Sequence, residues 1–305
     1  MMKLWNHYYT PTTIDEVQTL LAQYQGRARI VAGGTDLLVD ARADEHHTPF
    51  EALVDITRIR DLARIHEDEG YLHIGAGVTH TQIVKSTSLV ERATCLVESC
   101  GVVGGPQVRN VGTLGGNVAH ALPAADGTTS LVALAAEVEV VHSGQRKWLP
   151  LQELFVGPGQ SLLEQGRDLL LGFRFEPCRE REASAFKRIM RPQGVALPIL
   201  GCAVWVRLDT TRSTFEAVRV CIAPVAPTPH RVAEVETAIM GMTATSDTIE
   251  SMAELAQKVL NPRTSKYRAT AAYRFEVIGV LLRRTLTLAV ERARTGKAVP
   301  EGVGV

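Results

Sequence analysis

Two short runs in the chain carry residue types suited to holding an anionic ligand: Ala32-Gly33-Gly34-Thr35-Asp36 and Thr113-Leu114-Gly115-Gly116-Asn117. Glycine at a strand end permits positive φ and lets a ligand come close to the backbone. Successive N–H groups in such turns form concavities that bind anions. Each run adds a hydroxyl side chain, Thr35 or Thr113. Neither run spells GxGxxG or GxxxxGK[ST], so the usual dinucleotide and P-loop fingerprints are missing. Either run alone reads first as a tight structural turn; the pair together suits a long ligand with a diphosphate. Asp126 follows the small residues Pro123-Ala124-Ala125. An acid there can accept hydrogen bonds from a sugar or ring donor, or it can cap the helix expected just after Gly127.

The elements that must position these residues follow from hydrophobic spacing. Residues 12–24 place Ile14, Val17, Leu20 and Leu21 on one helical face, with Thr13 and Glu16 arranged as a capping box. Residues 29–32 read as a strand that runs into the first glycine pair. Residues 53–56 and 72–74 read as further strands, and Thr79 as the cap of a helix through Ile83 and Val84. A helix is expected over 89–99. Nothing in 110–126 has the composition of a good helix, and helix resumes over 128–136. Residues 137–142 alternate as a strand, with a turn at Ser143-Gly144. The charged stretch 176–182 reads as a linker. Beyond it lie three strands (184–190, 203–208 and 217–223), a proline turn at 225–231, and helices over 232–240, 249–260 and 271–293. A small sheet followed by helices predicts an α+β unit.

Composition narrows the partners. Lys+Arg and Asp+Glu are both 33, so the net charge is zero and no basic surplus supports nucleic-acid binding. The N-terminal MMKLWNHYYT has no apolar core of signal-peptide length, and the longest apolar run, 196–206, is too short to span a bilayer; a cytoplasmic protein is expected. The five cysteines are scattered with no Cys-x-x-Cys, so no iron–sulfur or zinc spacing is present and free thiols are expected. No catalytic triad and no metal site emerge from the dispersed histidines.

AGGTDLL followed by QVRNVGTLGGNVAHALPAAD resembles the FAD-binding medium subunit of molybdenum hydroxylases, the xanthine dehydrogenase and carbon monoxide dehydrogenase type. SAFKR (184–188), VAPTPHR (225–231) and RTSKYRATAAYR (263–274) extend the similarity through nearly the whole chain. The resemblance implies an α+β fold: a two-subdomain FAD-binding fold of the vanillyl-alcohol oxidase and peptidoglycan-precursor reductase type, plus an α+β C-terminal domain. It places the first FAD-binding subdomain at 1–56, the second at 57–176 and the C-terminal domain at 183–300.

By position, Ala32, Gly33, Gly34, Thr35 and Asp36 would cradle the diphosphate of a non-covalent FAD. Thr113, Gly115, Gly116 and Asn117 would meet it from the second subdomain. Asp126 would bind the adenosine or ribityl end, Leu170 would pack near the flavin, and Lys187 would reach its polar edge. The same resemblance implies a 2Fe–2S small subunit and a molybdopterin large subunit as partners, in a dimer of heterotrimers, with NAD⁺, dioxygen or another carrier as acceptor. The His46-His47 pair could hold a covalent flavin link or a metal, and reads first as an exposed loop pair. Two other readings stay open from the residues: a free-standing flavin oxidase, and a non-catalytic assembly subunit that uses the glycines only as turns.

Overall fold

The computed structural model describes residues 3–43, 50–190, 197–265 and 268–303; His46-His47 lie outside the described residues. The chain begins with β1 (Trp5–Tyr9), α1 (Ile14–Tyr24), β2 (Ala28–Val31), α2 (Leu37–Ala43) and β3 (Phe50–Asp55). The strands form a parallel sheet in the order β1-β3-β2. α1 forms because Val17, Leu21 and Tyr24 recur on one face and bury together. Thr13 caps it by accepting from the Glu16 N–H at 3.2 Å. The return bond differs from the expected box: Glu16 Oε2 accepts from the N–H of Thr12 at 2.7 Å, one residue earlier. Gln25 and Gly26, with φ of 49° and 89°, end the helix in the left-handed region.

A second sheet is antiparallel. It opens with β4 (Ile65–Asp68) and β5 (Tyr71–Gly75), then passes through α3 (His80–Lys85), α4 (Thr87–Arg92), α5 (Thr94–Gly101), α6 (Pro106–Val111), α7 (Leu114–Ala119) and α8 (Asp126–Ala133). It closes with β6 (Glu137–His142), β7 (Gln145–Pro150), the small hairpin β8 (Phe155–Gly157) and β9 (Gln160–Ser161), and β10 (Leu169–Phe175). The strand order is β4-β5-β10-β6-β7, with β8 and β9 paired separately. The helix expected over 89–99 is two helices, broken at Ala93, where φ is −151° and ψ 45°. The run 110–126, expected to lack a good helix, holds the last two residues of α6 and all of α7. Their poor propensity is outweighed by packing, since most helix stability in proteins comes from tertiary contacts.

The second sheet is covered on both faces. Leu72, Ile74, Val138, Phe173 and Phe175 bury against α3, α5 and α8. Val141, Leu169 and Leu171 face the other way, into Val17, Leu21 and Val54 of the first sheet and its helix. A bulge between Leu170 and Gly172 resets the alternation of β10, so Leu171 and Phe173 serve opposite faces although they are two residues apart.

The third sheet is an antiparallel meander of β11 (Glu182–Met190), β12 (Pro198–Leu208) and β13 (Phe215–Ala223), followed by α9 (Ala233–Ala238), α10 (Ser246–Val259) and α11 (Ala271–Thr295). One face carries Ala185, Cys202, Val204 and Ile222 onto Ile278, Leu282 and Leu286 of α11. The opposite face sends Phe186, Ala203, Trp205 and Cys221 into the core of the second sheet. Among the described residues, no helix is long and apolar enough to cross a membrane. All five cysteines are free, as expected.

An ion pair between Glu98 and Arg292, 1 % and 4 % exposed, joins the second and third layers. Glu98 accepts from Arg292 Nη2 at 2.6 Å, from the Phe186 N–H at 2.7 Å and from the Glu301 N–H at 2.8 Å. Arg292 also donates to the Ser184 carbonyl at 2.9 Å. Removing one member leaves the other charged, buried and alone, which costs roughly 3–5 kcal/mol. Arg292→Met is therefore expected to lower unfolding free energy by about that amount in urea titration, and replacing both members with Leu is expected to cost less than the single change.

Candidate cofactor site

Three loops meet at one edge of the second sheet. The first joins β2 to α2 and holds Ala32 to Asp36. The second, Ala76 to Thr79, joins β5 to α3, and the third joins α6 to α7 through Gly112 and Thr113. Backbone bonds stitch the second and third loops together. The His80 N–H donates to the Gly112 carbonyl at 3.0 Å, Leu114 to Val78 at 2.9 Å and Gly115 to Ala76 at 2.9 Å. Ala76 in turn donates to the Leu171 carbonyl, which anchors the assembly to β10.

The first loop presses on the third through glycine. A Cβ on Gly33 would overlap the Val111 carbonyl and lie 2.8 Å from Gly112 Cα. The two glycine runs, about 80 residues apart in sequence, are thus in backbone contact. His120, just past α7, faces Asp36 at 3.5 Å and Asp40 at 3.8 Å, adding a polar tie across the same gap. The Asp36 pairing holds His120 above the usual histidine range and Asp36 below the usual carboxylate range.

The glycines divide by role. Gly115 is buried, its N–H is taken by Ala76, and a Cβ there would lie 2.5 Å from the Ala76 carbonyl. It serves close packing and offers no donor to a ligand. Gly116 is exposed; its N–H bonds the capping hydroxyl of Thr113 at 3.0 Å, and a Cβ would meet only that hydroxyl, at 3.2 Å. Gly34 sits at φ 68°, the left-handed turn that lets the chain enter α2. The backbone N–H groups of Gly33, Gly34, Thr35 and Asp36 have no acceptor among the described residues. A run of partly exposed, unclaimed donors on one turn is a cradle for anionic oxygens.

Asp126 sits at the start of α8 and is 5 % exposed. It is not the helix cap: Ala125 holds that position, with no side-chain capping bond. Its carboxylate turns instead to the third sheet, where Arg188 Nη1 donates to Oδ2 at 2.6 Å. Asp126 Oδ1 is buried with no hydrogen-bond partner. Asn117 ties α7 to α8, its Oδ1 accepting from the Thr128 N–H at 3.3 Å. Gly127 permits that approach, since a Cβ there would lie 3.0 Å from Asn117 Oδ1. A donor cradle, an exposed glycine turn facing it, and an acceptor at the start of α8 fit a ligand with an anionic middle and hydroxylated or amide-bearing ends.

Leu170 and Lys187 are not drawn into this group by any contact. Leu170 is buried in the core beneath the sheet. Lys187 lies on the opposite face of β11 from Arg188 and pairs with Glu301. Two-residue alternation decides this: Phe186 and Arg188 face α5 and α8, whereas Ala185 and Lys187 face the side of Cys202. Sequence reasoning missed Arg188, His80 and His120. The alternation of SAFKR contained the signal for Arg188, because a strand that sends Phe186 into the core sends Arg188 the same way.

The family profile described as the FAD binding domain in molybdopterin dehydrogenase matches residues 2–175, and that described as the CO dehydrogenase flavoprotein C-terminal domain matches residues 184–289. The chain belongs to the FAD-binding flavoprotein family of molybdopterin dehydrogenases. It is 29 % identical over 94 % of its length to the xanthine dehydrogenase FAD-binding subunit of Escherichia coli O157:H7, covering 96 % of that protein. It is 31 % identical over 95 % of its length to subunit alpha of the 6-hydroxypseudooxynicotine dehydrogenase complex of Paenarthrobacter nicotinovorans, covering 96 % of it. A solved chain of carbon monoxide dehydrogenase from Hydrogenophaga pseudoflava, 27 % identical, superposes with a TM-score of 0.87 over 96 % of this chain and 99 % of that one. The flavoprotein is an oxidoreductase subunit, with a FAD-binding domain followed by a C-terminal domain.

Beneath the loops of this flavoprotein lies His80, 2 % exposed, with Nδ1 unpartnered. Burial, reinforced by Arg109, pushes its pKa down to about 4, against the pull of Asp36. The unfolded chain binds the proton near the ordinary value of about 6.5, so acid favours unfolding. The contribution of His80 is complete above pH about 6.5 and is expected to fall by about 3 kcal/mol as pH drops toward 4. Denaturant titrations across that range should show the native chain losing about that much stability relative to His80→Leu, a difference that cancels groups such as Asp126 whose raised pKa acts in the opposite sense.

Proposed function

We propose that this chain binds FAD non-covalently across the joined loops and serves as the electron-transfer subunit of a molybdenum hydroxylase. The observation that carries the reading is the unclaimed run of N–H groups from Gly33 to Asp36, held by backbone contact against the turn that opens α7. Ala32, Gly33, Gly34, Thr35 and Asp36 hold one side of the diphosphate through main-chain donors and the Thr35 hydroxyl. Thr113, Gly116 and Asn117 hold the other, and Gly115 supports them from behind by packing on Ala76. Asp126 accepts from a ligand hydroxyl or amide. Leu170 belongs to the apolar wall under the Ala76 loop. Lys187, engaged by Glu301 on the far face of β11, is left out of this set.

When bound, FAD supplies the redox chemistry that links one-electron carriers to two-electron acceptors. The chain's own task is to bind and orient it, so no general base or nucleophile is assigned. The three sheets support reading the chain as two FAD-binding subdomains, 1–56 and 57–176, and a C-terminal domain, 183–300. The names of the relatives, a FAD-binding subunit and a subunit of a complex, support a multi-subunit assembly. In our reading a 2Fe–2S subunit delivers electrons from a molybdopterin subunit, in a dimer of heterotrimers in the cytoplasm. NAD⁺, dioxygen or another carrier then takes the electrons.

Gly116→Val tests the site with least damage to the fold, because a Cβ there would meet a single side-chain atom, the Thr113 hydroxyl at 3.2 Å. The native chain is expected to purify with flavin absorbance. The variant should lose FAD affinity by tenfold or more, about 1.4 kcal/mol, with its melting temperature nearly unchanged. Equal FAD affinity in both proteins would reject the site.

A further inference from the structure

Among the described residues, five buried side-chain atoms lack a hydrogen-bond partner, and two of them belong to one ion pair: Asp126 Oδ1 and Arg188 Nε. The two side chains are 5 % and 9 % exposed. They come from different layers, Asp126 from α8 and Arg188 from β11. Arg188 spends Nη1 on Asp126 Oδ2 and Nη2 on the Val102 carbonyl, both at 2.6 Å. Its guanidinium is therefore fixed at two points, with the third nitrogen idle. Gly201, opposite Arg188 on β12, lies beside the pair; a Cβ there would press first on the Phe186 ring, at 3.1 Å, and reach Asp126 Oδ1 only at ordinary contact distance, 3.5 Å.

Buried donors and acceptors are satisfied in the great majority of cases, and an unmade bond in the interior costs about 1–3 kcal/mol. A well-paired ion pair that leaves one donor and one acceptor open, both buried, is built for a third party. Such a party must both donate and accept. A sugar or polyol hydroxyl does both.

We propose that Arg188 is a second ligand residue of the Asp126 subsite, fixing the carboxylate from the C-terminal domain so that Oδ1 and its own Nε jointly hold a hydroxyl of the bound cofactor. The inference rests on the FAD reading above and adds to it. Cofactor binding and seating of the third sheet on α8 become one event, since the same two side chains perform both.

The titratable groups that face Asp126 among the described residues are Arg188 from β11, Arg268 ahead of α11 and the Cys100 thiol from α5. Burial lifts Asp126 to about 6, and Arg188 and Arg268 oppose the rise. Removing Arg188 withdraws a stabilising cation, so Asp126 protonates at higher pH and loses its charge-assisted accepting strength there.

The test is FAD titration of the full-length chain by flavin fluorescence at a series of pH values. Native protein is compared with Arg188→Met and Arg188→Lys. Arg188→Met should weaken FAD by about ten- to a hundredfold, the range for a charged hydrogen bond. The pH at which affinity is lost should move upward. Arg188→Lys should restore much of the pH profile, because it keeps the charge, and little of the affinity, because it loses the fork. An arginine that acted only through the charge of Asp126 would leave FAD affinity unchanged at high pH, where Asp126 is ionised in every variant.

Separate titrations with FMN and ADP locate the hydroxyl: loss confined to FMN assigns the ribityl chain, and loss confined to ADP assigns the ribose. If Arg188→Met does not fold, Arg188→Lys carries the test, because it keeps a cation beside Asp126 and removes Nε. Normal FAD affinity in a folded Arg188→Met, or in Arg188→Lys, overturns the inference. Failure of the native chain to bind FAD overturns the functional reading itself, which separates the two.

Discussion

The site depends on one close approach, the Gly33 backbone lying directly on the Val111 carbonyl and Gly112 Cα. No side chain fits between them. That contact sets the first sheet against the helical loops of the second, and the unclaimed donors of Gly33 to Asp36 face the α7 turn as its consequence. Main chain against main chain is a stiff joint, because neither partner has a rotamer to change. The neighbouring glycines extend the principle. Gly115 on Ala76 and Gly127 on Asn117 bring α7 close to β5 and α8. A glycine-rich run that reads as a ligand loop is used largely for packing, with Gly116 left open to the outside.

Charge holds the third layer in place, in two different ways. Glu98 and Arg292 saturate each other and the surrounding backbone, joining α5, β11, α11 and the segment at Glu301. A buried network of that kind compensates its desolvation through complete bonding. Asp126 and Arg188 make a similar bridge a few residues along the same strand, yet leave an acceptor and a donor unused. The contrast within one interface separates a saturated pair from one with a donor and an acceptor left open.

Much of the secondary structure was legible because it rests on local physics. The apolar stripe and Thr13 cap of α1, the alternation of β6 and the long stripe of α11 all appear where their spacing places them. The failures share a cause. α7 is a helix against its composition, because Thr113 caps it and Gly115 docks it on Ala76. Asp126 reads equally well as a cap or a ligand residue until Arg188, 62 residues later, is seen to claim it.

The sequence by itself determined which residues could do the work: two glycine runs with hydroxyl partners, an acid after small residues, and a match of those motifs to a flavoprotein family. Only the tertiary structure decided how each is used. Whether a glycine spares room for a ligand or for another backbone is a question of what lies where its Cβ would stand, and that neighbour is remote in the chain. Likewise, the face on which Lys187 or Arg188 emerges is set by the register of β11 against β12 and by which face meets α5 and α8. Identity and local spacing are properties of the chain; proximity across 60 or more residues is a property of the packed core alone.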